Sequence, residues 1–295
     1  MGAEIDMEAF DVIGLTPLLR MTRGEPEITI GLIDGPVLLD HPNLEGQGIR
    51  EIAGTASAAC AHRDSAACSH GTFVTGMLAA QRGSAAPAIC PGCTFLLRPI
   101  FSEVQPRGGV TPSTTPEVLA AAIVDCVQAG ARILNLSVNL TGSPGRGAHH
   151  LDDALQFATS RGVIPVVAAA NQIPDSTSTF TRHAWALPVM ACDHAGQPLQ
   201  GSNFSAQVGR RGISAPGKEI TSLGTNGKPL TISGTSVATA FVTGALALLW
   251  SKLPRVKAAD LRFAIANPTR QRRMGLVPPM LNAWSTYQAL TGRRW

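Results

Sequence analysis

Residues Ile28 to Pro36 read ITIGLIDGP, an apolar, β-branched run that stops on Asp34 and a Gly35-Pro36 turn. A short apolar run bounded by turn residues predicts a buried strand. Asp34 then sits at the carboxyl end of that strand, the edge at which open α/β sheets bind ligands. Similar runs follow at Thr94 to Ile100, Arg132 to Val138, Val163 to Ala169 and Ala186 to Ala191. They are continuous rather than alternating, as expected of strands covered on both faces. Helical stretches separate them or follow them: Gly71 to Ala80, Pro116 to Ala129, Ala148 to Ser160, Ser236 to Lys252 and Ala258 to Ala266. Pro116 suits a helix start and Gly130 a helix end. This alternation predicts the α/β class, a three-layer arrangement of a mostly parallel twisted sheet with helices on both faces.

The composition agrees. Of 295 residues, 44% are hydrophobic and only 15% charged, which suits a closely packed core. The Gly-, Ser- and Pro-rich stretches Pro106 to Thr115, Thr141 to Gly147 and Pro174 to Thr181 are too short for interdomain linkers, so the chain reads as one domain over 1–295, with 1–27 as an N-terminal extension. The net charge of +4 is spread thinly apart from Arg270, Arg272 and Arg273, too diffuse for a nucleic-acid footprint. Glu4, Asp6, Glu8 and Asp11 occupy the place where a secretion signal needs basic and then apolar residues, which points to a cytoplasmic protein. Ser236 to Ser251 is the longest uncharged apolar stretch, and it is interrupted by Thr239, Thr243 and Gly244. It falls short of a membrane span and reads as a buried core helix, so no membrane partner is expected. Without a secretion signal, the six cysteines are expected as reduced thiols, with Cys126 and Cys192 packed as small core residues.

Two further segments carry chemistry. In Ser69 to Gly76, SHGTFVTG, His70 precedes a Gly-Thr step and an apolar helix; in Ile232 to Ala240, ISGTSVATA, Ser236 begins a long helix. Taken singly, Asp34 is a turn carboxylate, His70 a helix-start histidine and Ser236 a helix cap. Together they supply the hydroxyl nucleophile, the imidazole that takes its proton and the carboxylate that orients the imidazole, which acyl transfer requires. The order Asp, His, Ser excludes an α/β-hydrolase, which needs a GxSxG elbow and a histidine after the serine; none follows His194.

In this order, over roughly Ile28 to Leu249, the segments resemble the subtilisin-like serine proteases, most specifically in SGTSVATAFVTGALALL. The resemblance implies a subtilisin-like fold, a catalytic triad of Asp34, His70 and Ser236, and an endopeptidase acting on extended polypeptide. In VVAAAN it implies that Asn171 donates to the oxyanion, with the Ser236 backbone N–H as second donor. LNLSV at Leu134 to Val138 resembles the family strand that pairs with substrate, so Ser137 and Val138, with Ala169 and Ala170, are expected along the cleft.

A narrower resemblance, carried by Asp34-Gly-Pro-Val, PIFSE at Pro99 to Glu103 and the N-terminal GLTPLLRMTRGEPEI, is to the cyanobactin-type precursor-peptide maturation proteases. It implies leader removal from a ribosomally made precursor peptide, without a folding pro-domain. A macrocyclase or transamidase uses the same acyl-enzyme, but cyclising relatives carry an added helical cap near the histidine, for which Gly54 to Ser69 is short. A non-catalytic peptide-binding module would normally have lost one of the four site residues. Phe73, Ala170 and Ala240 depart from the histidine, glycine and proline usual in the family, which bears on the shape of the cleft rather than on the triad. No metal or other cofactor is expected: the asparagine-rich calcium loop is absent from Gln81 to Pro91, and although Cys90 and Cys93 have ligand-like spacing, Cys60, His62, Cys68 and His70 complete no zinc pattern with them. A disulfide Cys60–Cys68 or Cys90–Cys93 is an open alternative, and His149, His150, His183 and His194 are expected at the surface.

Overall fold

The computed structural model describes residues 7–54, 57–103, 114–138, 147–169, 183–200, 205–267 and 275–292. Its centre is a parallel sheet of strands β1 (Thr29–Ile33), β2 (Ile49–Glu51), β3 (Thr94–Leu97), β4 (Ile133–Leu136), β5 (Ile164–Ala168), β6 (Leu187–Cys192) and β7 (Ile213–Pro216), in the order β2-β3-β1-β4-β5-β6-β7. In β1, Ile30 lies opposite Phe95 of β3 and Ile133 of β4. An antiparallel ribbon, β8 (Ile220–Ser222) and β9 (Leu230–Ile232), stands apart from the sheet.

Side chains leave a strand alternately to either face, and the sheet divides the core accordingly. Ile30, Leu32, Phe95, Leu97 and Val166 pack with helices α3 (Ala66–Ala79) and α7 (Thr235–Lys252). Ile33, Leu96, Leu134, Leu136 and Val167 pack with α4 (Pro116–Gln128) and α5 (Ala148–Ser160). Helix α6 (Ala206–Arg211) packs near β6, and α8 (Ala258–Ala266) and α9 (Ala283–Thr291) close the α7 side. The α/β expectation, with helices on both faces of a mostly parallel sheet, is met.

Helix α7 is apolar around its whole circumference and buried from Val237 to Trp250. No helix among the described residues is long and apolar enough to cross a membrane. A buried polar link from α7 to the sheet is made by Thr243, whose Oγ1 donates to Asn135 Oδ1 at 2.8 Å, while the Asn135 amide donates to Ser137 Oγ at 3.0 Å. This link satisfies a fully buried asparagine in an otherwise apolar strand.

The N-terminal segment is woven into the core. Helices α1 (Met7–Val12) and α2 (Thr16–Met21) bury Phe10 and Leu18, and the turn between them buries Ile13 and Leu15, with Phe10 set edge-on to Phe241 of α7 at 6.0 Å. The Arg82 guanidinium bridges this segment to the body by donating to the carbonyls of Leu19, Thr22 and Ile89.

Two expectations need correction. Helix α3 begins at Ala66 rather than Gly71, because Ser65 caps it by accepting from the Cys68 N–H at 3.0 Å. The cysteines are not all reduced: Cys60 and Cys68 form a disulfide with Cα atoms 5.6 Å apart, within the reach such a bond requires. Cys90, Cys93, Cys126 and Cys192 are free and buried, and burial pushes the Cys126 thiol up to about 12. Closing the 60–68 loop removes about 2–3 kcal/mol of unfolded-chain freedom. Melting with and without reductant should therefore show a destabilisation of about that size, and a Cys60→Ser variant should match the reduced protein. Unchanged melting on reduction would show that the bond does not form in solution.

Candidate active site

The sheet order reverses direction of growth between β1 and β4, the switch point at which ligands sit outside the carboxyl ends of strands. Asp34 follows β1 there, and Ser137 and Val138 follow β4. Asp34 is 3% exposed. Its Oδ1 accepts from the Gly35 N–H at 2.7 Å and lies 2.6 Å from Nδ1 of His70. Oδ2 is buried with no hydrogen-bond partner among the described residues.

His70 is the fifth residue of α3, inside the helix rather than ahead of it, and its side chain keeps 30% of its surface exposed. Bonding of Nδ1 to a carboxylate selects the tautomer whose Nε2 is the basic nitrogen. Burial pulls the imidazole down, but the Asp34 charge and hydrogen bond outweigh it and raise His70 above the ordinary histidine value of 6.5.

The close approach of these two elements depends on glycines. A Cβ on Gly35 would stand 2.1 Å from the Ala67 carbonyl oxygen, and one on Gly71 would stand 2.4 Å from that of Pro36. Both contacts are to backbone, which cannot swing away. Gly35→Ser should therefore cost at least the ~1–3 kcal/mol typical of overpacking. It should also part Asp34 from His70, lowering both the melting temperature and any esterase activity; a variant with wild-type values for both would refute this account of the turn.

Ser236 is the second residue of α7 and half-buried. Gly234 ahead of it has φ 151°, a backbone angle that side-chain-bearing residues rarely adopt, and its N–H donates to the Gly217 carbonyl at 2.8 Å. The Ser236 N–H belongs to the first helical turn, where donors have no partner within the helix. Helix α7 packs against α3, so the histidine and the serine come from neighbouring helices on one face of the sheet.

Ser137, Val138 and Ala169 are buried, and the Ala169 N–H donates to the Val189 carbonyl at 2.9 Å. Asn171 and Ala170 lie outside the described residues, as do Arg270, Arg272 and Arg273 and nearly all of the three expected loops. Phe73 and Ala240, two of the departures, are fully buried core residues. His149 and His150 are exposed, with ring centroids 4.0 Å apart and planes tilted by 39°. His194 departs from its surface expectation: it is half-buried, with Nδ1 3.4 Å from Glu8 of α1. His183 is also half-buried, and burial lowers it.

Sequence reading passed over the surroundings of α3. Glu103 accepts from the N–H groups of Ala61 at 2.7 Å and His62 at 2.9 Å, and from the Ser65 hydroxyl at 3.1 Å. Its only sequence signal is membership of PIFSE. The cysteine and carboxylate atoms of Cys60, Cys68 and Glu103 lie close enough to suggest a metal site, but the disulfide uses both sulfurs and Glu103 is already bonded.

A model of the subtilase family matches residues 25–280. Fervidolysin of Fervidobacterium pennivorans is 29% identical over 90% of this chain, and subtilisin Savinase of Lederbergia lenta is 30% identical over 67% of it. The chain spans 41% of the length of fervidolysin and 54% of that of a thermophilic serine proteinase from Bacillus sp.. Among solved structures, a variant of the protease domain of PatA is 30% identical with a TM-score of 0.81, covering 91% of this chain and 97% of its own. The prenylagaramide maturation protease PagA is 27% identical with a TM-score of 0.79, covering 95% and 99%.

Proposed function

This chain belongs to the subtilase family, and from that premise we propose that it is a serine endopeptidase that removes the leader from a ribosomally made precursor peptide. The observation that carries the reading is the buried Asp34 carboxylate 2.6 Å from Nδ1 of His70, on a helix packed against the one that begins at Ser236. In the mechanism, His70 Nε2 takes the proton of Ser236 Oγ as the oxygen attacks the scissile carbonyl. The developing oxyanion is held by the Ser236 N–H and the Asn171 amide. His70 then passes its proton to the leaving amine, and water, activated in turn by His70, hydrolyses the ester and frees the enzyme. Asp34 keeps the imidazole in the productive tautomer and stabilises its cation.

An extended peptide would pair along the edge at Ser137 and Val138, and the family resemblance adds Ala169 and Ala170 as substrate-binding residues. A precursor peptide as substrate is supported by the likeness to PatA and PagA, whose names mark them as maturation proteases. Resolution of the ester by the peptide's own amine would close a ring instead. Residues 57–65 ahead of α3 form turns and bends without an added helix, which favours hydrolysis. We read 1–295 as one peptidase unit, supported by the packing of α1 and α2 against the core.

A cytoplasmic site of action would set the Cys60–Cys68 pair in a compartment that keeps thiols reduced. Counting free thiols in alkylated, freshly lysed cells assigns the state there: a disulfide found intact would argue against the cytoplasm. The function itself is tested by exposing the purified protein to a fluorophosphonate probe and then to a peptide library read by mass spectrometry. Labelling with linear cleavage products is expected; a folded protein that neither labels nor cleaves would sink the reading.

A further inference from the structure

Cys60, Ala61, His62 and Ser65 lie in the turns ahead of α3, and two fastenings hold them to the start of the histidine helix. One is the disulfide to Cys68, two residues before His70. The other is Glu103, whose two oxygens take up the Ala61 and His62 N–H groups and the Ser65 hydroxyl. Ser65 in turn caps α3 through the Cys68 N–H. Glu103 is itself anchored to the other half of the pair. It ends the segment Arg98 to Glu103, in which the Ile100 N–H donates to the backbone carbonyl of Asp34 at 2.9 Å. Arg98 in the same segment is 4% exposed and donates through Nε to Asp125 at 2.9 Å, so the segment has a fixed base.

We propose that Glu103 is a positioning residue which, through Ser65 and the 60–62 turn, holds the His70 ring against Asp34; the inference rests on the protease reading above. One short segment thus grips both the backbone of Asp34 and the first turn of the helix that carries His70. A carboxylate suits the task, because one side chain can accept all three hydrogen bonds, two of them from backbone N–H groups and made stronger by its charge. The role is positional: Glu103 bonds to Ala61, His62 and Ser65, and none of these bonds reaches the imidazole.

Displacing a catalytic group by about 1 Å costs on the order of 100-fold in rate. In Glu103→Ala, kcat for a peptide or ester substrate should therefore fall about 10- to 100-fold with little change in KM. The low-field proton resonance of His70 Nδ1–H should broaden, and His70 should titrate at lower pH than in the wild type. Glu103→Gln keeps one oxygen acceptor and should recover part of both readouts. Ser65→Ala keeps the Glu103 bonds to the turn but cuts the link to the helix cap, and guards against misfolding of the alanine variant; it should move the His70 titration in the same direction.

A folded Glu103→Ala with wild-type kcat and an unmoved His70 titration overturns the proposal, whatever happens to its melting temperature. A loss carried by KM with the titration intact overturns it as well, since Glu103 would then serve substrate binding. If the wild type fails to react with fluorophosphonate, the protease reading fails, while the His70 resonance still reports whether Glu103 holds the imidazole.

Discussion

Ser236→Ala should abolish peptide cleavage, with kcat falling by about a millionfold, the loss seen when the nucleophile of such a triad is removed. The reason is that His70 and Asp34 have no chemistry of their own to offer a peptide bond: without an acceptor for the acyl group, only direct attack by water remains. Residual catalysis of about 1000- to 10,000-fold over the uncatalysed reaction should persist, because the proposed oxyanion donors and substrate pairing would remain. Stability should hardly move. Ser236 is half-buried at the second position of α7, where alanine is the better helix former, and Gly234 rather than Ser236 makes the strained entry to the helix. Fluorophosphonate incorporation and the melting temperature together decide the matter. Lost labelling with unchanged melting supports the nucleophile, whereas a variant that still labels at Ser236-independent positions and still cleaves would remove Ser236 from the mechanism.

How far the site could be read in advance depended on whether its parts were local. Asp34 ends a continuous apolar run, and Ser236 opens the longest uncharged apolar stretch of the chain; both segments announce their structure through periodicity and turn residues. Strands β1, β3, β4, β5 and β6 were legible on the same ground, while β2, β8 and β9 have only three residues each and β7, reading ISAP, lacks a continuous apolar run. The start of α3 was misread because Gly71 looks like a helix boundary, whereas it is a glycine inside a helix so that the Gly35-Pro36 turn can lie against it. Helices α1 and α2 are six residues long and are helical because their apolar side chains pack on the core, a tertiary cause that leaves little local signal. The Cys60–Cys68 bond and the Glu103 bonds join residues whose meeting depends on the fold: Glu103 lies 41 and 42 positions from the N–H groups it receives. Asn171, the expected oxyanion donor, rests on the VVAAAN match alone, as it lies outside the described residues.

Asp34→Asn should lower kcat by about 10,000-fold, and the structure gives a specific reason for expecting both a rate and a pH effect. Asp34 Oδ1 serves the Gly35 N–H and His70 Nδ1, while Oδ2 is buried without a partner among the described residues. An asparagine with its oxygen at the Oδ1 position would bury its NH2 where no described residue offers an acceptor. Turned the other way, it would point NH2 at both the Gly35 N–H and His70 Nδ1, forcing the imidazole proton onto Nε2, the atom that takes the proton from Ser236 in the proposed mechanism. Either orientation leaves a buried donor unmet, at a cost of about 1–3 kcal/mol in stability. In the wild type, burial pulls His70 down, and the Asp34 charge and hydrogen bond outweigh it, so the base becomes neutral and active only above 6.5. The acid limb of kcat/KM should accordingly lie above that value. Removing the carboxylate leaves burial as the dominant influence, and His70 should then titrate below 6.5, the ordinary histidine value. The same inequality fixes the stability effect. The wild-type pair prefers protonated His70, so its contribution is fully present below 6.5 and is lost as pH rises through the higher folded value. Nuclear magnetic resonance titration of His70 in both proteins measures this without relying on the feeble activity of the variant. A His70 titration that stays above 6.5 in Asp34→Asn would mean that the carboxylate neither orients nor charges the imidazole, and the pairing at 2.6 Å would lose its mechanistic meaning.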